Sequence, residues 1–439
     1  MITDFPQFPL ALPDEKDVLA ELAAFDGTPV IPKDRRRTVF PVITKEDVFA
    51  MLLSAKTRPE KVVADFTEAY RDYVGAGYAL PAASGTASLH LALAGVGVGP
   101  GDEVIVPAFT FIATAQAVVA AGAIPVFADI DPVTYCLSPE GAAAAVTERT
   151  KAIMPVHVHG LPADVAALRA VADRHGVAFV EDASHAHSAK VGDRVCGSFG
   201  DAAGQSLMAD KNFPLGGEGG IAFFATEEAR DRAADYLRRN GIDYGMSWIA
   251  ASFGSSQLKR LPYYDAIRAR NAAVLDDQLR ETGLFSPPVV PEGSTHAYNM
   301  YRIGLHPEAV GLGDLPVHAV KEAVHELLVA EGVPAREWQN TPIPCHLPFR
   351  RRQGFGGGWP FTLNPAAARD HEPEDFPVVT GMLARTLVLC RELRSPVEYE
   401  RLARYGQAFA KIARRPDAIR KVIGDRTFPL PWDKAARLG

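Results

Sequence analysis

The stretch Val177-Ala178-Phe179-Val180-Glu181-Asp182-Ala183-Ser184-His185-Ala186-His187 indicates a buried β-strand that ends in polar residues. Similar short apolar runs occur at 103–106, 124–127, 152–156 and 220–224, and helical patterns at 113–121 and 162–175 separate some of them. Runs rich in β-branched and aromatic residues that alternate with helices are typical of a mainly parallel sheet. We therefore predict an α/β fold with its ligand site at the carboxyl ends of the strands.

The bulk composition is that of a water-soluble globular protein. The chain has 439 residues, of which 47% are hydrophobic and 23% charged, and its formal net charge is -7. An acidic balance without a long run of one sign gives no support for nucleic-acid binding. No stretch is apolar for the ~20 residues that a membrane-spanning helix needs, and the first residues do not resemble a secretory signal. We expect no nucleic-acid partner and no membrane association.

The cysteines and the length indicate the compartment and the domain organisation. Four cysteines lie scattered without CxxC spacing, which argues against a zinc site and a disulfide framework and favours the reducing cytoplasm. A chain this long exceeds one compact core. We predict an N-terminal extension with a first helix over 1–60, a large ligand-binding domain over 61–284, and a smaller C-terminal α/β domain over 285–439. Within these, we expect a helix at 45–56 and further helices over 379–413.

Two residues in one supersecondary unit indicate a cofactor. Asp182 ends a predicted strand, and Lys211 follows in the run Gly204-Gln205-Ser206-Leu207-Met208-Ala209-Asp210-Lys211. A carboxylate facing a pyridinium nitrogen and a lysine able to form an imine are the two groups that pyridoxal phosphate most needs. Taken singly, such an aspartate is as often a helix cap or an ion-pair partner, and a lysine near glycines is usually a solvated surface residue.

A third element would hold a phosphate. Ser84-Gly85-Thr86 precedes a helical run at 87–94. Free N–H groups at a helix start attract an anion, and glycine lets the backbone approach it closely. The alternative, a simple Ser/Thr helix cap, is the commoner meaning of three such residues taken alone.

The ordered motifs extend this pattern into a family resemblance. The chain resembles the DegT/DnrJ/EryC1/StrS sugar aminotransferases, a branch of the fold-type-I pyridoxal phosphate enzymes. The matching stretches lie at 84–93, 99–111, 125–132, 155–157, 181–183, 197–201 and 211–212 with 217–220; they include Ser84-Gly85-Thr86, Pro107-Ala108-Phe109-Thr110-Phe111, Glu181-Asp182-Ala183 and Lys211-Asn212. The resemblance implies a mainly parallel seven-stranded sheet flanked by helices, with a smaller C-terminal α/β domain.

The resemblance also implies roles for individual residues. Lys211 would bond covalently to the cofactor aldehyde, and Asp182 would pair with the pyridine nitrogen. The phosphate would be held by Gly85, Thr86 and Ser206, with Phe109 stacked on the ring.

Further implied roles depart in part from the family pattern. His185 stands where relatives usually have glutamine and would donate to the cofactor hydroxyl, so its protonation would matter near neutral pH. Asn240 would reach the phosphate of a neighbouring subunit, which implies a homodimer with shared active sites. His346 resembles a histidine near the substrate pocket, although a surface histidine is about as common there. The segment Asp243-Tyr244-Gly245-Met246 lacks a basic residue that relatives carry.

Three functional hypotheses follow. The first is an aminotransferase that moves an amino group from glutamate or glutamine to a keto-sugar, keto-cyclitol or nucleotide-linked keto-sugar, as in amino-sugar or antibiotic biosynthesis. The second keeps the cofactor but catalyses an elimination or an aromatisation, as in the related sugar dehydratases and aminohydroxybenzoate synthases. Dehydratase relatives tend to have histidine in place of the lysine, whereas this chain keeps Lys211, which weighs against that branch. The third is a non-enzymatic scaffold, which would have no need to keep the lysine, the aspartate and the phosphate cradle together.

Overall fold

A computed structural model describes residues 22–25, 27–32, 42–394 and 399–436 of the chain. Its main sheet has seven strands, as the resemblance implied, in the spatial order β1-β9-β8-β5-β4-β2-β3. The strands of the chain are β1 Tyr78–Ala82, β2 Glu103–Pro107, β3 Ile124–Ala128, β4 Thr150–Ile153, β5 Ala178–Asp182, β6 Lys190–Val191, β7 Arg194–Val195, β8 Ala202–Ser206, β9 Gly220–Phe224, β10 Phe285–Ser286, β11 Tyr301–Leu305 and β12 Thr386–Leu389.

Helices cover the sheet and build the rest of the molecule. They are α1 Lys45–Ser54, α2 Pro59–Val74, α3 Gly85–Gly95, α4 Ala113–Ala120, α5 Pro139–Ala144, α6 Val165–His175, α7 Glu227–Asn240, α8 Trp248–Leu258, α9 Leu261–Arg280, α10 Val317–Glu331, α11 Leu347–Arg351, α12 Pro377–Arg385, α13 Tyr399–Ala413, α14 Pro416–Ile423 and α15 Pro431–Ala436. Within the described ranges, none is long and apolar enough to cross a membrane.

The strand directions confirm the predicted mainly parallel sheet. Pairs β2–β3, β2–β4, β4–β5 and β5–β8 are parallel, whereas β9 runs antiparallel to both of its neighbours, β1 and β8. Strands β1, β5 and β8 therefore point the same way, and their carboxyl ends meet at one edge of the sheet. A ligand site is expected at that edge of an α/β sheet.

Two glycines let α3 lie directly against the sheet. A Cβ atom at Gly204 would come within 2.8 Å of the Leu89 backbone nitrogen, and one at Gly220 within 2.2 Å of the Ser84 carbonyl oxygen. Because these two glycines carry no side chain, the first half of α3 lies against the middle of β8, and Ser84 lies against the start of β9. This close approach fixes where the helix N-terminus points.

A second apolar core surrounds the antiparallel sheet β10-β11-β12. Its buried side chains come from these strands, from α10 and α13, and also from Leu275 and Leu279 of α9 and from Leu22 and Ile31 near the start of the chain. The boundaries at residues 60/61 and 284/285 stay a prediction. The described residues near the start of the chain nonetheless help to build this core, since the N–H of Ile31 donates to the Glu331 carbonyl at 3.0 Å.

One element prediction in the C-terminal region was wrong. The sequence was expected to be helical over 379–413, but the structure places strand β12 at Thr386–Leu389 between helices α12 and α13. The run Thr386-Leu387-Val388-Leu389 is wholly buried and pairs with β11. Burial on both faces removes the alternation that would mark a strand, so a short apolar run of this kind looks like part of a helix.

Candidate active site

A cavity of about 450 Å³ lies at the sheet edge where β1, β5 and β8 end. Its large-domain wall contains Gly85, Thr86, Asp182, Ser206 and Lys211. Five of the residues proposed from sequence are thus brought together, although they are spread over more than a hundred positions of the chain. His185 lines the same cavity.

The N-terminus of α3 forms one end of the cavity. Ser84 caps the helix, its Oγ accepting a hydrogen bond from the Ala87 N–H at 3.2 Å. The N–H groups of the first two helical residues, Gly85 and Thr86, have no acceptor within a helix. A Cβ atom at Gly85 would lie 2.4 Å from Ser206 Cβ and 2.9 Å from Ser206 Oγ, so the glycine brings the serine hydroxyl close to those N–H groups. The helix cap and the anion cradle are therefore both present, on neighbouring residues.

A buried hydrogen-bond chain orients Asp182. Oδ2 accepts from Thr114 Oγ1 at 2.7 Å, Oδ1 accepts from the Ser184 N–H at 3.0 Å, and Thr110 Oγ1 lies 2.9 Å from Thr114 Oγ1. An ionised carboxylate has about four acceptor sites, so these two bonds leave capacity for a ligand donor. These hydrogen bonds therefore fix the orientation of the Asp182 carboxylate where it lines the cavity.

Lys211 supplies the amine of the site. It is half-buried, lines the cavity, and follows a turn in which its own N–H donates to the Met208 carbonyl at 2.9 Å. Burial lowers the pKa of Lys211 from 10.5 to about 8; Arg394 lowers it further, whereas Asp182 and Asp210 oppose the shift. A larger share of the neutral, nucleophilic amine is therefore present near neutral pH than for a solvated lysine.

His185 is held as a neutral hydrogen-bond donor. Its Nδ1 accepts a hydrogen bond from the His159 N–H at 3.3 Å, so the ring proton resides on Nε2. Burial, aided by the charge of Lys211, keeps the pKa of His185 well below its usual value. The expected sensitivity of this residue to pH near neutrality is therefore wrong: it is uncharged there, as a glutamine would be.

Three residues proposed from sequence do not line this cavity. Phe109 is only 1% exposed, and its ring packs edge-on against Trp338 and His159, with centroids 5.1 and 5.6 Å away. Asn240, at the end of α7, is exposed and donates from Nδ2 to the Tyr236 carbonyl at 2.8 Å. His346 precedes α11, with Nε2 3.3 Å from the Thr341 carbonyl oxygen.

Several cavity residues were missed by sequence reasoning. Phe111 and Thr114 lie two and five residues after Phe109, and both line the cavity. Residues two positions apart face the same side of an extended segment, so the sequence pattern alone does not separate Phe111 from Phe109. The opposite wall comes from the C-terminal part of the chain and had no signal in the sequence. Its side chains are Arg336, Trp338, Cys390, Arg391 and Arg394.

The comparison with known families agrees with this geometry. The sequence pattern of the DegT/DnrJ/EryC1/StrS aminotransferase family matches residues 44–354. The chain belongs to this family. It is therefore a pyridoxal-phosphate-dependent aminotransferase, and the family assignment made from the motifs is confirmed.

Individual relatives of this family member are similar along most of their length. The L-glutamine:2-deoxy-scyllo-inosose aminotransferase of Streptoalloteichus tenebrarius is 38% identical over 332 residues, covering 70% of this chain and 77% of the relative. A UDP-N-acetyl-3-dehydro-alpha-D-glucosamine 3-aminotransferase of Acidithiobacillus ferrooxidans is 37% identical over 286 residues, covering 62% and 72%. The crystal structure of 3-amino-5-hydroxybenzoic acid synthase superposes with a TM-score of 0.71 at 27% identity, covering 86% of this chain and 98% of that one.

The residues present fit the family cofactor. The cradle at Gly85 and Ser206, where a Cβ on the glycine would overlap the serine, leaves its N–H groups and hydroxyls for a phosphate. When bound, pyridoxal phosphate supplies an aldehyde that takes up an amine and a ring that accepts electrons. Asp182 and Lys211 lie in the same cavity and have the chemistry that those two parts require.

Proposed function

We propose that the protein transfers the amino group of glutamine to a keto-cyclitol or a keto-sugar. The observation that carries this proposal is that one cavity gathers a lysine of lowered pKa, a hydrogen-bonded aspartate and an anion cradle. We propose glutamine as the amino donor because relatives are named L-glutamine:2-deoxy-scyllo-inosose and L-glutamine:scyllo-inosose aminotransferases. The same names indicate a keto-cyclitol acceptor. A further relative, named for a UDP-linked keto-sugar, is the reason for including nucleotide-linked sugars among the acceptors.

Each residue has a role that its surroundings support. Gly85, Thr86 and Ser206 would bind the cofactor phosphate. Asp182 would accept a hydrogen bond from the protonated ring nitrogen, while Thr114 donates to its Oδ2. His185 would donate from Nε2 to the ring oxygen. Lys211 would hold the cofactor covalently and, once free, move a proton on and off the substrate carbon.

Trp338 and Phe111 would shield the reacting atoms. Trp338 packs edge-on against His185, with ring centroids 5.6 Å apart, and both aromatic residues line the cavity. Apolar walls exclude water and strengthen the charge interactions inside a site. Phe111 is also the aromatic placed to pack on a bound ring in place of Phe109.

A homodimer would complete the site. Phe49, Leu52 and Leu53 on α1 are 60, 62 and 65% exposed, an apolar surface that a monomer seldom leaves open. Asn240 lies on the protein surface, where it is available to a neighbouring subunit. We propose that two copies share residues across their active sites. The unpaired state of all four cysteines supports action in a reducing compartment, the cytoplasm.

An aromatising reaction is the second candidate, favoured by the likeness to 3-amino-5-hydroxybenzoic acid synthase. The two reactions are distinguished by their products. Purified holoenzyme incubated with glutamine should lose the absorption of the aldehyde form of its cofactor and release the keto acid of glutamine. Addition of a keto-cyclitol should regenerate that absorption and yield an aminocyclitol; an aromatic product without keto acid would contradict aminotransfer.

A further inference from the structure

The positive side chains of the cavity wall indicate how the amino donor is recognised. Four cationic side chains among the described residues line the cavity: Lys211, Arg336, Arg391 and Arg394. The last three come from the C-terminal part of the chain. An amino-acid donor brings a carboxylate next to its reacting amine, and an arginine guanidinium is the group best shaped to bind it with two parallel hydrogen bonds.

Arg394 is committed to the protein itself. It is 4% exposed, Nη1 donates to the Asp210 carbonyl at 2.7 Å, and Nη2 donates to the carbonyl and the Oδ1 of Asn299 at 3.0 and 3.1 Å. Asp210 directly precedes Lys211, so this arginine holds the lysine turn in place. Its two Nη groups are directed at Asp210 and Asn299 rather than at a ligand.

Arg391 is likewise paired, in this case with a side chain. Its Nε forms a close ion pair with the carboxylate of Asp210, which Arg394 also approaches at 3.6 Å. A negative charge already lies between these two arginines. A donor carboxylate placed there would compete with Asp210 and would be repelled by it.

Arg336 differs from both. Its side chain is 51% exposed, and its ion-pair contact is a long one, 3.7 Å from Nη2 to Glu392 Oε1. The backbone beneath it is fixed, because its N–H and carbonyl bond to the carbonyl and N–H of Val388 at 3.0 and 2.9 Å. Trp338, two residues further on, lines the same cavity, as expected for one face of an extended segment.

We propose that Arg336 binds the α-carboxylate of the amino donor. This inference rests on the proposed aminotransfer and adds the residue that selects an amino acid over a simple amine. The nearby acids each have another partner or face solvent. Asp182 is turned toward Thr114 and Ser184, and Asp210 is paired with Arg391. Glu392, at 3.7 Å from Arg336, accepts a hydrogen bond from the Arg391 N–H at 2.8 Å, and Glu218 is exposed to solvent. Of the three arginines of this wall, Arg336 has the longest ion-pair contact, so its guanidinium is the least committed to a protein carboxylate.

The test compares two donors in holoenzyme. Glutamine and 4-aminobutanamide, which is glutamine without its carboxylate, are each added in single turnover, and loss of the aldehyde-form absorption is followed. Wild type should prefer glutamine at least ~100-fold, and Arg336→Gln should reduce that preference at least ~10-fold, the effect of losing one charge-assisted pair. The preference of Arg336→Lys for glutamine should lie between those of the wild type and Arg336→Gln. An unchanged preference in Arg336→Gln, or none in wild type, would overturn the assignment.

A matched variant and a binding measurement complete the design. Arg350→Gln removes an arginine of equal exposure, 51%, that pairs with Glu372 and does not line the cavity; it should leave the preference unchanged. Calorimetry with glutaramate, which has the carboxylate but no amine, should give at least ~10-fold weaker binding to Arg336→Gln than to wild type. Equal binding would contradict the proposal. A wild type that accepts no amino group from any donor would instead contradict the proposed function.

Discussion

Thr114 donates its hydroxyl hydrogen to Oδ2 of Asp182 at 2.7 Å, from a helix 68 residues earlier in the chain. Both side chains are buried, and the Ser184 N–H binds the other carboxylate oxygen. The carboxylate is therefore fixed before any ligand arrives. A site whose acid is oriented in advance avoids reorganisation when charge develops in the reaction.

Removal of that hydroxyl should weaken the site without unfolding the protein. Thr114→Val keeps the shape but leaves Asp182 short of one donor, and we expect activity to fall about tenfold and stability by ~1 kcal/mol. Thr114→Ser should retain most activity because it keeps the hydroxyl. Steady-state kinetics and thermal denaturation measure the two effects, and wild-type activity in Thr114→Val would show that the hydrogen bond has no catalytic effect.

The cradle should not tolerate a methyl group at its glycine. In Gly85→Ala the new Cβ would lie 2.4 Å from Ser206 Cβ, so we expect a loss of ~1–3 kcal/mol in stability and at least tenfold weaker cofactor binding. Gly99→Ala is the control, since among the described atoms nothing lies within 4 Å of its added Cβ. Cofactor titration and thermal unfolding would compare them. Equal cofactor affinity in the two variants would argue against the cradle.

Cofactor uptake by the apoprotein should depend on pH through Lys211. Its pKa of about 8 lies below the ordinary value because burial disfavours the charged amine. Only the neutral amine attacks an aldehyde, so the uptake rate should rise with pH and level off above about pH 9, with a midpoint near 8. Stopped-flow absorbance measures it. A midpoint above 10, as for a solvated lysine, would contradict the burial argument.

Replacement of His185 by glutamine should be tolerated. The histidine is neutral because burial and the nearby lysine charge hold its pKa well below the usual value, and it donates from Nε2. We expect His185→Gln to keep most activity and an unchanged pH profile, whereas His185→Leu, which lacks a donor, should lose at least tenfold. A pH profile that changes in His185→Gln would mean that the histidine titrates in the working range.

The large-domain half of the site could be predicted because its residues lie in short local motifs. Asp182 ends β5, whose apolar run is visible in the sequence, and parallel strands bring their ends together. Gly85, Thr86 and Lys211 follow β1 and β8, which the apolar runs did not mark, so these residues were found through their motifs. The runs gave five strands of the main sheet, and the family resemblance gave its full number of seven. The motif contains both Phe109 and Phe111, and nothing in the sequence tells them apart. Only the packing of Phe109 against Trp338 shows that Phe111 is the aromatic residue left to line the cavity.

The small-domain half could not be predicted from local patterns. Arg336 and Trp338 lie more than 120 positions after Lys211 and reach the cavity through the backbone pairing of Arg336 with Val388. That pairing depends on β12, whose four buried residues have no alternation to mark them as a strand. A wall built from long-range contacts leaves no spacing in the sequence, so the donor-binding arginine emerged only from the folded arrangement.

The covalent role of Lys211 is the central claim, and reduction of the holoenzyme with borohydride tests it most directly. The reagent fixes the cofactor to the nitrogen that holds it, and peptide mass mapping then locates the modified residue. We predict a phosphopyridoxyl group on Lys211 in the wild type and none on any lysine in Lys211→Ala. Modification of a different lysine, or no modification in cofactor-saturated wild type, would contradict the assignment.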